Sequence, residues 1–218
     1  MKRSPSVFLR AFLPVLLTAP LLAACLGSAP PVPRDHYYRL LVPPPPPGPE
    51  GAGAEILLPG VVMVELPQAD GLLRERPLLY SQSGESHELQ QHNYHYWNDV
   101  PPRMLQDQMV GYLRRSGVTG QVVTPDTRVR SDFRVTGKAR RLERLLGGGP
   151  PRVFVEIELA LLRLSDDTLL VVENYTAEEP AGGDSVEAAV VALNRATARI
   201  FDAFLTQVRA AADQVAVQ

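Results

Sequence analysis

The clearest pattern in the chain is an alternation of aliphatic and mostly polar side chains between residues 152 and 161. A period of two predicts a β-strand with one buried face, and here Val153, Val155 and Ile157 begin that face. Alternating or β-branched and aromatic stretches predict further strands at 36–42, 78–82, 87–97, 120–124, 133–136 and 168–177. The strands at 78–82 and 87–97 flank Ser83-Gly84-Glu85, which predicts a hairpin. Residues 55–66, interrupted at Pro59-Gly60, predict either two short strands or one bulged strand.

Two segments instead have the 3.6-residue apolar period of amphipathic helices. The first is expected over 101–115, with Asp99 as its cap and Gly117 as its end. The second is expected to begin after 184–187, which resembles a capping box with Asp184 as the cap, and to run to about Ala212. Together these elements predict an α+β fold: a largely antiparallel β-sheet with both helices packed on one face.

The first 24 residues follow a different pattern, with basic residues before a short apolar run that contains two prolines. This run is too short to cross a bilayer, which takes about 20 apolar residues, and has the form of a secretory signal. It ends in Leu22-Ala23-Ala24-Cys25, which resembles the lipobox of bacterial lipoproteins at all four positions. The resemblance implies cleavage between Ala24 and Cys25 and acylation of Cys25. The alternatives are an ordinary signal peptide with an incidental cysteine and a buried structural cysteine.

Proline divides the remainder of the chain. The sequence contains 21 prolines, five of them consecutive at 43–47, and a run without amide donors favours an extended linker over a core element. We therefore expect a signal peptide over 1–24, a tether over 25–36, and a single α+β domain over 37–212 with a proline-rich insertion at 43–54. Residues 213–218 are expected to form a tail.

Charge and cysteine content exclude several classes of protein. With 22 Lys and Arg against 24 Asp and Glu, the formal charge of −2 argues against nucleic acid as a partner. The single cysteine, Cys25, excludes an internal disulfide framework and a multi-cysteine zinc site. Membrane attachment is therefore expected through acylated Cys25 and not through a basic surface.

The sequence offers little that predicts chemistry. It contains neither a Gly-x-Ser-x-Gly elbow nor a phosphate-binding Walker loop. His87, His92 and His95 lie close together, but on a regular strand His92 and His95 would point to opposite faces, which does not suit shared metal ligation. Glu156 and Glu158 share the polar face of the alternating strand, as solvated carboxylates often do. We therefore predict no catalytic residue, metal or cofactor.

Four segments carry a resemblance to a known family. They are Tyr37-Tyr38-x-Leu40, the strand Arg76-Pro77-Leu78-Leu79-Tyr80, the segment Tyr94-His95-Tyr96-Trp97, and the helix start Pro101-Pro102-x-Met104-Leu105. The alternating strand and the strand at 168–177, joined by a turn at Ser165-Asp166-Asp167, form a later hairpin that is also similar, as is the last helix. Together these segments make residues 37–208 similar to the ABC-type transport auxiliary lipoproteins, the family of paraquat-inducible protein C.

The resemblance implies a non-enzymatic, lipid-anchored component of an ABC-type lipid or intermembrane transport system. Its partners would be a substrate-binding protein of the mammalian-cell-entry type with its ABC permease and ATPase, and it would dock their conduit at the outer membrane. By resemblance to lipoprotein sorting, Leu26 after the cysteine favours the periplasmic face of the outer membrane, with palmitate-type chains as the anchor. The alternatives are a structural lipoprotein of outer-membrane assembly and a secreted lipoprotein hydrolase. The sequence also leaves open whether the protein forms a homo-oligomer.

Candidate partner contacts lie where the aromatic segment meets the first helix. Tyr94 and Trp97 supply aromatic surface, and Asp99, Pro101 and Arg103 form the loop and first turn that follow. For Trp97, core packing beneath that helix is the alternative, and it is the favoured one because the helix must pack directly after this residue.

Overall fold

Nine strands within the described part of the chain form one β-sheet that carries two α-helices. The computed structural model describes residues 33–46, 56–82, 85 and 87–216, with side chains through residue 212. The strands are β1 (His36–Tyr38), β2 (Leu58–Val64), β3 (Gln68–Ala69), β4 (Pro77–Ser81), β5 (Gln90–Trp97), β6 (Thr119–Val123), β7 (Phe133–Leu145), β8 (Arg152–Arg163) and β9 (Thr168–Pro180). The helices are α1 (Pro101–Ser116) and α2 (Val186–Ala216), with short 3-10 helices at Gly71–Arg74 and Pro125–Thr127.

The sheet is mixed, so the prediction of a largely antiparallel sheet is wrong. On one side, β7 pairs antiparallel with β8, and β8 in turn pairs antiparallel with β9. On its other side, β7 is parallel to β2, β3 and β4 in succession along its length. Strand β6 lies parallel beyond β2, and β5 lies antiparallel beyond β4 with β1 parallel at the edge. Alternation reports which face of a strand is buried, but it does not report the direction of the neighbouring strand.

Both helices contribute to one core on the same side of the sheet. Leu105 of α1 and Phe201 of α2 meet Val135 and Ile157 of the sheet around a small internal void. The ring of Tyr112 in α1 stands edge-on to Phe201, with centroids 5.4 Å apart. Neither described helix combines the length and apolar character needed to cross a membrane. We call this side of the sheet the helix face and the opposite side the outer face.

The start of α1 differs from the prediction that Asp99 caps it. Val100 occupies the cap position and makes no capping bond through its side chain. The Asp99 carboxylate instead accepts the Val100 N–H at 2.7 Å, and Pro101 opens the first turn, where a missing N–H costs no helical bond. Gly117 ends the helix as expected, in the left-handed conformation with φ of 68°.

The cap of α2 also lies one residue from the predicted one. The hydroxyl of Ser185 accepts the N–H of Ala188 at 3.0 Å, so Ser185 and not Asp184 caps the helix. The helix continues to Ala216, so its last turn includes residues for which the sequence predicts a tail. At the other end of the domain, His36 is the first residue of β1, although the sequence predicts that it belongs to the tether.

The observed pairing of strands decides the predictions for segments 55–66, 78–82 and 87–97. Segments 78–82 and 87–97 form the antiparallel β4–β5 hairpin, as predicted. The 55–66 segment is one bulged strand, because the β2 register shifts between Leu58 and Val61, where Gly60 has φ of 113°. The predicted signal peptide, Cys25, most of the predicted tether and the greater part of the proline-rich insertion lie outside the described residues.

Candidate docking surface at the β1 edge

Strand β1 places its three side chains alternately on the two faces of the sheet. It pairs in parallel with β5, and Tyr37 lies opposite Tyr96 on the outer face. Its neighbours His36 and Tyr38 lie opposite His95 and Trp97 on the helix face. The edge of the sheet therefore presents tyrosines on one side and a histidine-containing cluster on the other.

On the outer face, Tyr37 and Tyr96 stack with ring centroids 5.7 Å apart. The guanidinium of Arg76 lies 5.3 Å from the centre of the Tyr37 ring, within the range of a cation–π contact. With Glu75, Pro77 and Val100 these residues line a shallow open cavity of about 420 Å³, which we call the Tyr37–Tyr96 groove. Tyr37 is 57% exposed. The groove therefore offers aromatic area and a cation to a partner.

Trp97 supports this groove from inside the domain. Its side chain is only 1% exposed and belongs to the main core. Its N–H donates to the Arg76 carbonyl at 2.7 Å, and its own carbonyl accepts from Arg76 Nε at 3.1 Å. Pro101, another candidate contact, is also buried. The ring of Trp97 thus packs beneath the surface, and its backbone N–H and carbonyl position Arg76.

The other three candidate contacts are accessible. Tyr94 is 40% exposed and has φ of 63°. Asp99 and Arg103 form an ion pair at 3.7 Å at the start of α1, and both side chains are more than a third exposed. Exposed pairs of this kind contribute about 0.3–0.5 kcal/mol, so a partner can replace their contacts at little cost.

On the helix face, the expectation that His92 and His95 point to opposite faces is wrong. Their ring centroids are 5.9 Å apart, and His36 stacks on His95 at 5.0 Å. The cause is Tyr94, whose left-handed backbone interrupts the alternation of β5 in the region where the β4–β5 register shifts. We call His36, His92 and His95 the histidine cluster.

Tyr38 connects this cluster to the start of α2. Its hydroxyl donates to Glu187 Oε1 at 2.8 Å and lies 2.8 Å from His95 Nδ1. Burial and the Glu187 carboxylate raise the pKa of Tyr38. The segment that follows β1 is held by both helices, because the Leu41 N–H donates to Asn194 Oδ1 and the Val42 N–H donates to Gln108 Oε1.

Two histidines of the cluster, His92 and His95, favour the neutral form. Burial, together with the positive charge of Arg144, lowers the pKa of His92 to about 4. Burial also lowers the pKa of His95. Arg144 itself is buried and donates to the Asp184 carbonyl at 2.5 Å. No group of three metal-ligating side chains suited to a metal ion occurs among the described residues. The contacts of His92 and His95 are mostly aromatic rings, which indicates a structural role.

Sequence reasoning did not group Tyr37 and Arg76 with Tyr96 on one surface. All three lie in segments that the family resemblance singled out, but these segments are far apart in the chain. Even the nearest two of these residues, Arg76 and Tyr96, are separated by 20 positions. Only the parallel β1–β5 register brings Tyr37 beside Tyr96. A short edge strand carries no sequence signal of its partner.

Comparison with known proteins agrees with this architecture. The family model of the ABC-type transport auxiliary lipoprotein component matches residues 38–204. The crystal structure of protein XCC0632 from Xanthomonas campestris, assigned to the DUF330 family, is similar with a TM-score of 0.72 at 20% identity, covering 84% of this chain and 100% of that one. The crystal structure of an uncharacterized protein has a TM-score of 0.62 at 16% identity, covering 81% and 99%. No protein of curated function matches the chain.

Proposed function

Because this chain belongs to the ABC-type transport auxiliary lipoprotein component family, we propose that it docks a lipid-transport conduit at the outer membrane. Membership indicates a lipoprotein of the bacterial envelope that assists an ABC transport system, and the family is not one of enzymes. The proposed partner is a periplasm-spanning substrate-binding protein of the mammalian-cell-entry type, with its permease and ATPase at the inner membrane.

Attachment to the membrane is proposed to occur through Cys25. Residues 1–24 would be removed as the signal peptide, and the new terminus would carry palmitate-type acyl chains. Each buried methylene contributes about 0.8 kcal/mol, so several chains anchor a protein stably where one does not. Leu26 supports the outer membrane as the destination. The residues between Cys25 and β1 would then act as the tether of the domain, whose first strand begins at His36.

The observation that carries the docking proposal is the Tyr37–Tyr96 groove. Two stacked and accessible tyrosines beside an arginine have the composition of protein–protein contact centres, which are enriched in Tyr and Arg. Tyr94, Asp99 and Arg103 extend the surface toward α1. Trp97 and Pro101 are proposed to act indirectly, by holding the loop that carries these side chains.

The test uses the full-length acylated protein in its own cells, crosslinked and extracted in mild detergent. We expect a mammalian-cell-entry protein with its permease or ATPase to be recovered with the wild type. Recovery should fall by about tenfold or more for a Tyr37→Ala, Tyr94→Ala double variant, because hot-spot tyrosines contribute 1–2 kcal/mol or more. Val191→Ala is the matched control, since Val191 is similarly exposed but lies on α2.

The outcomes separate the alternatives. Unchanged recovery with the double variant would remove the groove from the docking surface. Recovery of barrel-assembly or lipopolysaccharide machinery in place of a transporter would contradict the transport role and support outer-membrane assembly. Cys25→Ser protein that still sediments with the outer membrane would contradict the anchor.

A further inference from the structure

Strand β9 is an edge of the sheet: among the described strands it pairs with β8 alone. The N–H of Ala181 donates to the Pro151 carbonyl at 2.9 Å, which fixes the phase of the hydrogen-bonded pairs along the two strands. In an antiparallel ladder such pairs recur at every second residue. The β9 residues that bond β8 are therefore the odd-numbered ones from Val171 to Glu179. The backbone groups of Val172, Asn174, Thr176 and Glu178 point to the free edge.

Both ends of this edge are closed. At the C-terminal end, Arg199 of α2 donates to the Glu178 carbonyl at 3.4 Å, and Arg195 donates to the Pro180 carbonyl at 2.9 Å. Arg199 is held in place by the Glu179 carboxylate at 2.6 Å. At the N-terminal end, the register shifts between Leu161 and Leu162, so that Leu170 forms a bulge. Bulges and covering side chains are the devices by which proteins prevent strand addition.

Between these closures the edge is open. Val172 is 54% exposed, and Asn174 and Thr176 are also exposed. Within the part of the chain that the structure describes, the outward N–H and C=O of these three residues have no hydrogen-bond partner. An open stretch with three donors and three acceptors fits one short added strand.

We propose that this strand comes from a second copy of the chain, paired antiparallel about a two-fold axis at Asn174. In that register Val172 of each copy faces Thr176 of the other, and the two Asn174 residues face each other. Every open donor then meets an open acceptor, which gives six hydrogen bonds. The pair of Val172 and Thr176 on each side of the axis joins two β-branched side chains, which is a favourable cross-strand combination.

The bulge and the charges together select this register over its neighbours. About Asn174, Glu173 faces Tyr175 and Glu178 faces Leu170, so no acidic side chain lies opposite another. Moving the axis to Val172 would place the bulged Leu170 opposite Asn174 in the ladder. Moving it to Thr176 would bring Glu173 opposite Glu179, and would place Pro180, which has no N–H, opposite Val172. Like charges directly opposite each other are destabilising.

The first test places a cysteine on the proposed axis of the full-length protein in its own membrane. Paired Cα atoms in a hydrogen-bonded antiparallel pair are about 5.5 Å apart, within the range for a disulfide. Asn174→Cys should therefore form an oxidised dimer rapidly. Glu178→Cys is the matched control on the same strand face, because its two copies would be roughly 27 Å apart at 3.4 Å per residue.

The outcomes of this test are distinct. We expect a band of twice the mass for Asn174→Cys and none for Glu178→Cys or for the parent, whose only cysteine is Cys25. Equal crosslinking of the two variants, or none of either, would overturn the proposal. A crosslinked band of another mass would assign the edge to a different protein and would also overturn it.

A second test removes one backbone N–H from the free edge of β9. The N–H of residue 174 points away from β8, so Asn174→Pro removes a donor from the free edge and none from the β8–β9 ladder. Asn174→Thr keeps the donor and is the control. In sedimentation equilibrium we expect the proline variant to dimerise at least about tenfold more weakly than the threonine variant. Equal association of the two, or a monomeric wild type at all concentrations, would overturn the inference. Neither test depends on the transport role.

Discussion

The hydroxyl of Tyr38 donates a 2.8 Å hydrogen bond to the carboxylate of Glu187, a residue 149 positions later in the chain. The bond joins the first strand of the domain to the first turn of the last helix. Because Glu187 lies in that first turn, its charge also suits the positive end of the helix dipole. Hydrogen bonds from its own N–H and from Tyr38 keep the pKa of Glu187 low.

We expect Tyr38→Phe to lower the free energy of unfolding by about 1–3 kcal/mol, because it removes a hydrogen bond to a charged carboxylate and a second one to His95. Urea unfolding measures the loss. Tyr37→Phe is the matched control, since the Tyr37 hydroxyl contacts only the exposed Asp35 carboxylate among the described residues. Equal losses in the two variants would show that the Tyr38–Glu187 bond contributes nothing specific.

The histidine cluster predicts a dependence of stability on pH. The pKa of His92 is about 4 in the folded protein and about 6.5 in an unfolded chain, so the unfolded state binds the proton more tightly. The contribution of His92 to the free energy of unfolding should therefore be constant above pH 6.5, and the protein should lose stability as the pH is lowered from 6.5 toward 4. His95, whose pKa is also lowered, adds a loss of the same sign.

Urea midpoints at pH 7.5, 6 and 5 would measure this dependence. His92→Gln lacks the titrating group, and its midpoint should fall less over the same interval. His87→Gln is the control, because His87 lies outside the cluster. A wild type and a His92→Gln protein that lose stability in parallel would rule out His92 as a source of the acid sensitivity.

Gly60 is expected to tolerate no side chain. Its φ of 113° is unfavourable for other residues, and an added Cβ would lie 2.2 Å from Asp132 Oδ2. That carboxylate accepts the Val61 N–H at 2.8 Å and so maintains the β2 bulge. Gly60→Ala should cost at least about 1–3 kcal/mol in chemical unfolding. Gly183→Ala, where the added atom meets only an ordinary contact at 3.7 Å, should change stability by less than about 0.5 kcal/mol.

Substitution of Trp97 should separate packing from recognition. Trp97→Ala removes a side chain that is 99% buried, and we expect a loss of about 3–5 kcal/mol in thermal or urea unfolding. Tyr94→Ala should cost less than about 1 kcal/mol, because that ring is 40% exposed, yet it should weaken partner recovery. A folded, fully stable Trp97→Ala protein would contradict the core assignment.

Much of the local structure follows from the amino-acid sequence alone. Alternation located β8, and two strand-like segments around a turn sequence located the β4–β5 hairpin. The Pro-Pro start and Gly117 located α1. These signals depend only on neighbouring residues. The caps were missed by one position at both helices. Competition between adjacent polar groups decides them: Ser185 reaches the Ala188 N–H, whereas the Asp99 carboxylate turns to Val100.

The sequence also determined the family, through short motifs spread from residue 37 to the last helix. What only the tertiary structure decided is which segments meet. Strand direction depends on how the chain crosses over through α1, and alternation does not encode it, so the parallel pairs of β7 were not foreseen. The Tyr37–Tyr96 groove requires the β1–β5 register, and the histidine cluster requires the backbone of Tyr94 to break a period of two. The open middle of the β9 edge likewise depends on tertiary packing, because Arg195 and Arg199 of α2 fold back over the C-terminal end of the strand and not over its middle.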